Sequence, residues 1–161
     1  LAKDLENKIL DIKKGKVFNC ALSNKISKKK FYLYDIPSQS SFYKQNDTYT
    51  SVQKIKKRIK VNIQIFDKIF NKNLKIDYCK IDAQGEDYNI LRGMEKNLKK
   101  GNIKLFKIEL CFPPMHKNVN CVYLDVLNYL KRFGYNLFSI SKIKYKNNEI
   151  LFMDAFFKKG R

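Results

Sequence analysis

Apolar residues recur along this chain at two spacings, and the switches between them mark out its elements. Leu1, Leu5, Ile9 and Ile12 share one helical face, and Gly15 stands where a C-terminal cap would end that helix. Residues 17–22 (VFNCAL) form a short apolar run of strand type. Lys28, Lys29 and Lys30 predict a polar turn, with a strand over 31–34 after it. Residues 37–45, with Ser38, Ser40 and Ser41 clustered, read as loop. Ile59, Val61, Ile63 and Ile65 alternate with polar residues, the pattern of a half-buried strand, and 66–70 turns briefly helical. A strand over 76–81 ends at Asp82. Tyr88, Leu91, Met94 and Leu98 predict a helix over 85–100 that Gly101 stops. The apolar run 103–112 is a strand halted by Pro113 and Pro114. Val122, Val126, Leu127, Leu130 and Phe133 make a second helical stripe, closed by Gly134. Two last strands, 136–143 and 150–157, flank the turn-forming pair Asn147-Asn148.

Strands that alternate with helices imply an α/β fold with a mostly parallel sheet covered on both faces; the final hairpin adds an antiparallel strand. With 161 residues and neither repeat nor linker, a single domain over 1–161 is expected. A hydrophobic content of 44% excludes a disordered tail. The alternation of charge and apolar residues over 1–12 is unlike a signal peptide, and no stretch reaches the roughly 18 apolar residues of a membrane span. The first residue is Leu1 rather than Met, which suggests a fragment or a processed product.

Charge adds a second candidate class. The formal net charge is +19, and a basic surface can serve RNA or another anionic polymer. Yet Arg58, Arg92, Arg132 and Arg161 are the only arginines, and sites that read phosphate or bases favour the planar Arg fork. The lysines are scattered, so nucleic acid is not the expected partner. Cys20, Cys79, Cys111 and Cys121 show no CxxC spacing and have no paired His. Small buried thiols in a reducing, cytoplasmic setting and no metal are therefore expected.

The run Lys80-Ile81-Asp82-Ala83-Gln84-Gly85-Glu86-Asp87, followed by Leu91 and Gly93, resembles the FkbM methyltransferase pattern K-x-D-x-[EQ]-G-x-E-x-x-x-L-x-G, with Asp87 at the position of its second acid. Other pieces agree in order: Asn19-Cys20-Ala21-Leu22-Ser23 with N-x-A-L-S, Ser40-Ser41 with an S-S pair, Phe66-Asp67 with L-D, Glu109 with a strand-closing acid, and Asp154-Ala155-Phe156-Phe157 with D-A-L-F. The resemblance implies a class I, Rossmann-like methyltransferase domain that uses S-adenosylmethionine, often on a hydroxyl of a sugar or natural product. It also implies a glycine-rich loop after the first strand and a ribose-binding acid after the second. No D-x-G-x-x-G run occurs here, so the first two strands are expected to be missing, the cofactor site incomplete and the chain alone inactive.

By that resemblance, Ala21 and Leu22 would lie near the adenine, and Asp82, Gln84 and Gly85 near the rest of the cofactor; Ala21 and Leu22 are otherwise ordinary core residues. In open α/β sheets ligands bind at the carboxyl ends of strands. Asp82 there can orient the cofactor or accept a proton, or it can cap a helix. Glu86 and Asp87 read as first-turn acids favoured by the helix dipole. Glu109 is a lone acid in an apolar strand and should face a polar site, because burying it unpaired is costly. His116, the only histidine, has the intrinsic pKa of a general base or is a surface-loop residue. Ser40 and Ser41 line the acceptor or form a turn. Asp82, Glu109 and His116 are thus the candidates for taking a proton, and Ser40, Ser41 and Glu109 for contacting a small-molecule or carbohydrate acceptor. Convergence of Asp82 and Glu109 on a cleft favours an O-methyltransferase; lysines clustered with exposed aromatics on one face favour the non-catalytic basic module.

Overall fold

The computed structural model describes residues 15–70, 74–119 and 123–160. The helix expected over 1–12 lies outside the described residues, as do Cys121 and Val122. β1 (Ala21–Leu22), β2 (Ser27–Tyr34) and β3 (Ile55–Gln64) form one sheet in the order β1-β3-β2. β4 (Ile76–Ile81), β5 (Ile103–Cys111), β6 (Tyr135–Lys146) and β7 (Glu149–Lys159) form a second, in the order β4-β5-β7-β6. The helices are α1 (Phe66–Ile69), α2 (Asp87–Arg92), α3 (Glu95–Lys99) and α4 (Tyr123–Arg132).

The fold is mixed α/β, with two sheets among the described residues where the alternation of elements predicts one mostly parallel sheet. Among the described residues β1 runs parallel to β3 and β4 to β5, whereas β2-β3, β5-β7 and β6-β7 are antiparallel. The reason is local. β2 and β3 are joined without a crossover helix and pair as an arm of their own, with Phe31 opposite Ile59. Lys28–Lys30 are not a turn but the first half of β2, their charges carried on an arm that solvent reaches.

β5 alternates cleanly. Phe106, Ile108 and Leu110 join the main core with Ile90, Leu91 and Leu98 of α2 and α3 and Val126 and Leu130 of α4. Lys107 and Glu109 fall on the opposite face, where Glu109 pairs in register with Asp154 and Lys107 reaches the Asp154 carboxylate at 2.8 Å. The described helices α1 to α4 all contribute to the one core.

The helix expected over 85–100 breaks in two, because Gly93 presses against another element. A Cβ on Gly93 would lie 2.3 Å from the Ser23 carbonyl oxygen, so only glycine lets the end of β1 and the end of α2 meet. α3 has no side-chain cap of its own at Met94. Instead Asp67 of α1 accepts Lys96 N at 2.7 Å and Asn97 N at 3.2 Å, which satisfies donors that a helix start leaves free. The C-terminal hairpin turns at Asn147 and Asn148, with φ of 50° and 64°. Cys20, Cys79 and Cys111 are half-buried rather than buried.

Candidate functional site

β4 delivers Asp82 to the carboxyl end of the larger sheet, and the turn after it is tightly fixed. Gln84 and Gly85 take φ of 50° and 99°, a reversal that glycine eases. Asp87 holds the turn from below, with Oδ1 accepting Ala83 N at 2.9 Å and Oδ2 accepting Gly85 N at 3.1 Å. Burial pushes the Asp87 carboxyl up despite these bonds. Ser41 Oγ donates to the Gln84 carbonyl at 2.6 Å.

Glu86 is 1% exposed and gathers the two sheets together. Ser23 Oγ donates to its Oε1, Tyr43 OH to its Oε2 at 2.6 Å, and Lys29 Nζ and Asn89 Nδ2 both stand 3.4 Å from Oε1. Burial, then the bond to Glu86, pushes the Tyr43 phenol up, so it stays a donor.

Glu109 is the opposite kind of acid. It is largely buried, yet no described residue gives it a hydrogen bond or ion pair. Burial, followed by the negative charges of Asp82, Asp87 and Asp154, pushes its pKa up to about 7. Burial pushes the Asp82 carboxyl up too, but hydrogen bonds from Lys80 and Gln84 outweigh it, and Asp82 sits below the ordinary carboxylate range. His116 is 7% exposed, and burial lowers its pKa, so its ring is neutral at pH 7.

Two cavities meet at this loop. The first, about 430 Å³, is walled by Ala21, Leu22, Phe31, Phe42 and Phe66, with Asp82 and Gln84 at its rim. The second, about 510 Å³, contains Asp82, Gln84, Gly85, Glu109 and His116. Ser38, Asp82 and Gln84 border both. All three proton-acceptor candidates thus line one cavity, and Ala21 and Leu22 line its neighbour.

The serines separate. Ser40 borders the apolar cavity and accepts Tyr34 N through Oγ at 3.2 Å. Ser41 borders neither cavity; it is fully buried, and its Oγ also accepts Tyr43 N at 3.0 Å, a local turn bond. Ser41 thus sits in the joint that holds the loop, away from both cavities.

Sequence reasoning missed Glu86, Ser23 and Tyr43 as a unit, and also the lysines Lys142, Lys144 and Lys146 that border the second cavity. Ser23 closes the N-x-A-L-S segment and Glu86 follows Gly85, so two motif pieces held the signal; that they touch could be seen only in three dimensions.

An open, mostly apolar pocket lies beside the pocket of Glu109, and the comparisons define the class as methyltransferase. The Methyltransferase FkbM domain matches residues 3–137, which is most of the chain. The chain belongs to the FkbM methyltransferase family. No curated protein and no solved structure matches it. No described helix is long and apolar enough to cross a membrane.

Proposed function

We propose that this chain carries the acceptor side and one wall of the cofactor side of an S-adenosylmethionine-dependent O-methyltransferase that acts on a hydroxyl of a carbohydrate or small molecule. The observation that carries this reading is the shared rim: Asp82 and Gln84 border an apolar cavity and, next to it, the cavity of Glu109.

The residues present fit the cofactor in part. The aromatic and aliphatic walls suit a flat adenine, and about 430 Å³ lies within the range of small-molecule sites, roughly 300–1,000 Å³. The ionised Asp82 at the rim suits a cationic amino or sulfonium group. The glycine-rich loop and ribose acid that the family resemblance calls for have no counterpart among the described residues. In this reading the domain is a Rossmann-like sheet whose first two strands would fit between β1 and β4.

When bound, S-adenosylmethionine supplies an electrophilic methyl carbon. The protein's task is then to aim an acceptor oxygen at that carbon and remove its proton as the new O–C bond forms. Glu109 takes the proton: a pKa of about 7 matches a base working near neutral pH. Asp82 keeps its charge and orients the cofactor. His116 is a neutral acceptor or donor that lines the same cavity. The convergence of Asp82 and Glu109 supports this reading, while the lysines of β6 beside the exposed Phe138 and Tyr145 are what a basic RNA-binding module would offer. A cytoplasmic setting goes with the methyltransferase reading.

Adding S-adenosylmethionine to the isotopically labelled chain and following backbone amides tests the reading. Weak binding with shifts at Ala21, Leu22 and Asp82 to Gly85 is expected. Absence of shifts there at millimolar cofactor, or shifts confined elsewhere, would contradict it.

A further inference from the structure

The cavity of Glu109 is acidic on one side and basic on the other. Asp82 and Glu109 stand at the ends of β4 and β5, while Lys142, Lys144 and Lys146 approach from β6. Regular strand alternation would send about half of such a run away from the cavity. Here the register slips between Ser141 and Lys144 and again between Lys144 and Tyr145, and Lys142 takes a φ of 52°. A bulge of this kind re-aims side chains, and it brings Lys142 and the consecutive Lys144, Tyr145 and Lys146 all to the cavity border. Lys146 is engaged, donating to the Thr48 carbonyl at 3.0 Å. Lys142 and Lys144 have no hydrogen bond or ion pair among the described residues. The field of Lys142 reaches both Asp82 and Glu109, so the two sides belong to one space.

We infer that the acceptor bears an anionic substituent, a carboxylate or a phosphate, which Lys142 and Lys144 hold while its hydroxyl faces Glu109. This rests on reading that cavity as the acceptor site. Lys142 and Lys144 are exposed at the border of the cavity, so an anionic group entering from the solvent side can reach both. An anionic acceptor is oriented by charge at one end and by proton transfer at the other, and the acids repel the wrong orientation.

The test titrates the whole chain with glucose, glucuronate and glucose 6-phosphate, reading affinity together with the Glu109 carboxyl signal. At least one anionic sugar should bind about tenfold more tightly than glucose, as two lysines near one anion allow. The pair of arms separates carboxylate from phosphate. K142Q/K144Q should abolish the preference. K56Q/K57Q removes the same charge from exposed positions on β3 and should preserve it. Equal affinity for all three sugars, or equal loss in both double variants, overturns the inference; if glucose still moves the Glu109 signal, the acceptor reading of the cavity survives. A preference dependent on Lys142 and Lys144 with no sugar moving Glu109 would overturn both.

Discussion

Two buried acids a few residues from the same loop show how differently one protein can use a carboxylate. Glu86 accepts hydrogen bonds from Ser23, Tyr43, Lys29 and Asn89 across both sheets, and these hold it although it lines the first cavity. Glu109 is half-buried but has no partner among the described residues, faces three other carboxylates and borders a cavity of about 510 Å³. Burial with partners fastens structure, because the desolvation cost is offset by bonds that exist in the ground state. Burial without partners stores a cost that is relieved when a proton arrives, and a base of that kind is ready for a hydroxyl.

Removing Glu86 should hurt most. Glu86→Ala leaves Lys29, Tyr43 and Ser23 without their acceptor and should destabilise the chain by about 3–5 kcal/mol in denaturant unfolding. A loss below about 1 kcal/mol would break the contrast. Gly93→Ala tests the same joint through the backbone. A methyl 2.3 Å from the Ser23 carbonyl must push β1 and α2 apart, at an expected cost of about 2–3 kcal/mol. A variant of wild-type stability would show that the joint yields freely.

Glu109→Gln should move the other way. The folded pKa of Glu109 is raised to about 7, so between its unfolded value and pH 7 the folded state binds the extra proton. Stability therefore falls as pH rises through that window, and the penalty is complete above it. The variant should be about 1–2 kcal/mol more stable than wild type at pH 8, with the gain gone near pH 4. The same change should lower methyl transfer about a hundredfold, and the wild-type rate should climb with pH through about 7. The smallest effect belongs to the hairpin behind the cavity. Asn148→Ala puts a residue poorly suited to φ of 64° at the turn and should cost about 1 kcal/mol in thermal unfolding.

Much of this was legible in the chain, for reasons that differ by element. β4 matches its expected span residue for residue, and the 103–112 run ends at Cys111, because an apolar strand bounded by polar and proline signals is a strong local pattern. The break at Gly93 was hidden: Tyr88, Leu91, Met94 and Leu98 keep helical spacing across it, and the cause lies 70 positions back, at Ser23. The start of β2 was hidden too, since lysines alternating on an arm look like a turn. Asp82, Glu109 and His116 could be nominated because strand ends and a lone histidine are local facts. Glu86 could not be separated from an ordinary first-turn acid, because its partners come from β1, β2 and the loop after it. The lysines of β6 were lost in a net charge of +19 until a bulge set them beside the acids.

The most direct measurement is the titration of the Glu109 carboxyl itself, by carbon NMR on glutamate-labelled chain, assigned with Glu109→Gln. A midpoint near 7, falling toward the ordinary value when Asp82 and Asp154 are changed to Asn, is predicted. A midpoint near 4.3, the value of a solvated glutamate, would contradict the account of Glu109 as the unpaired buried base of the site.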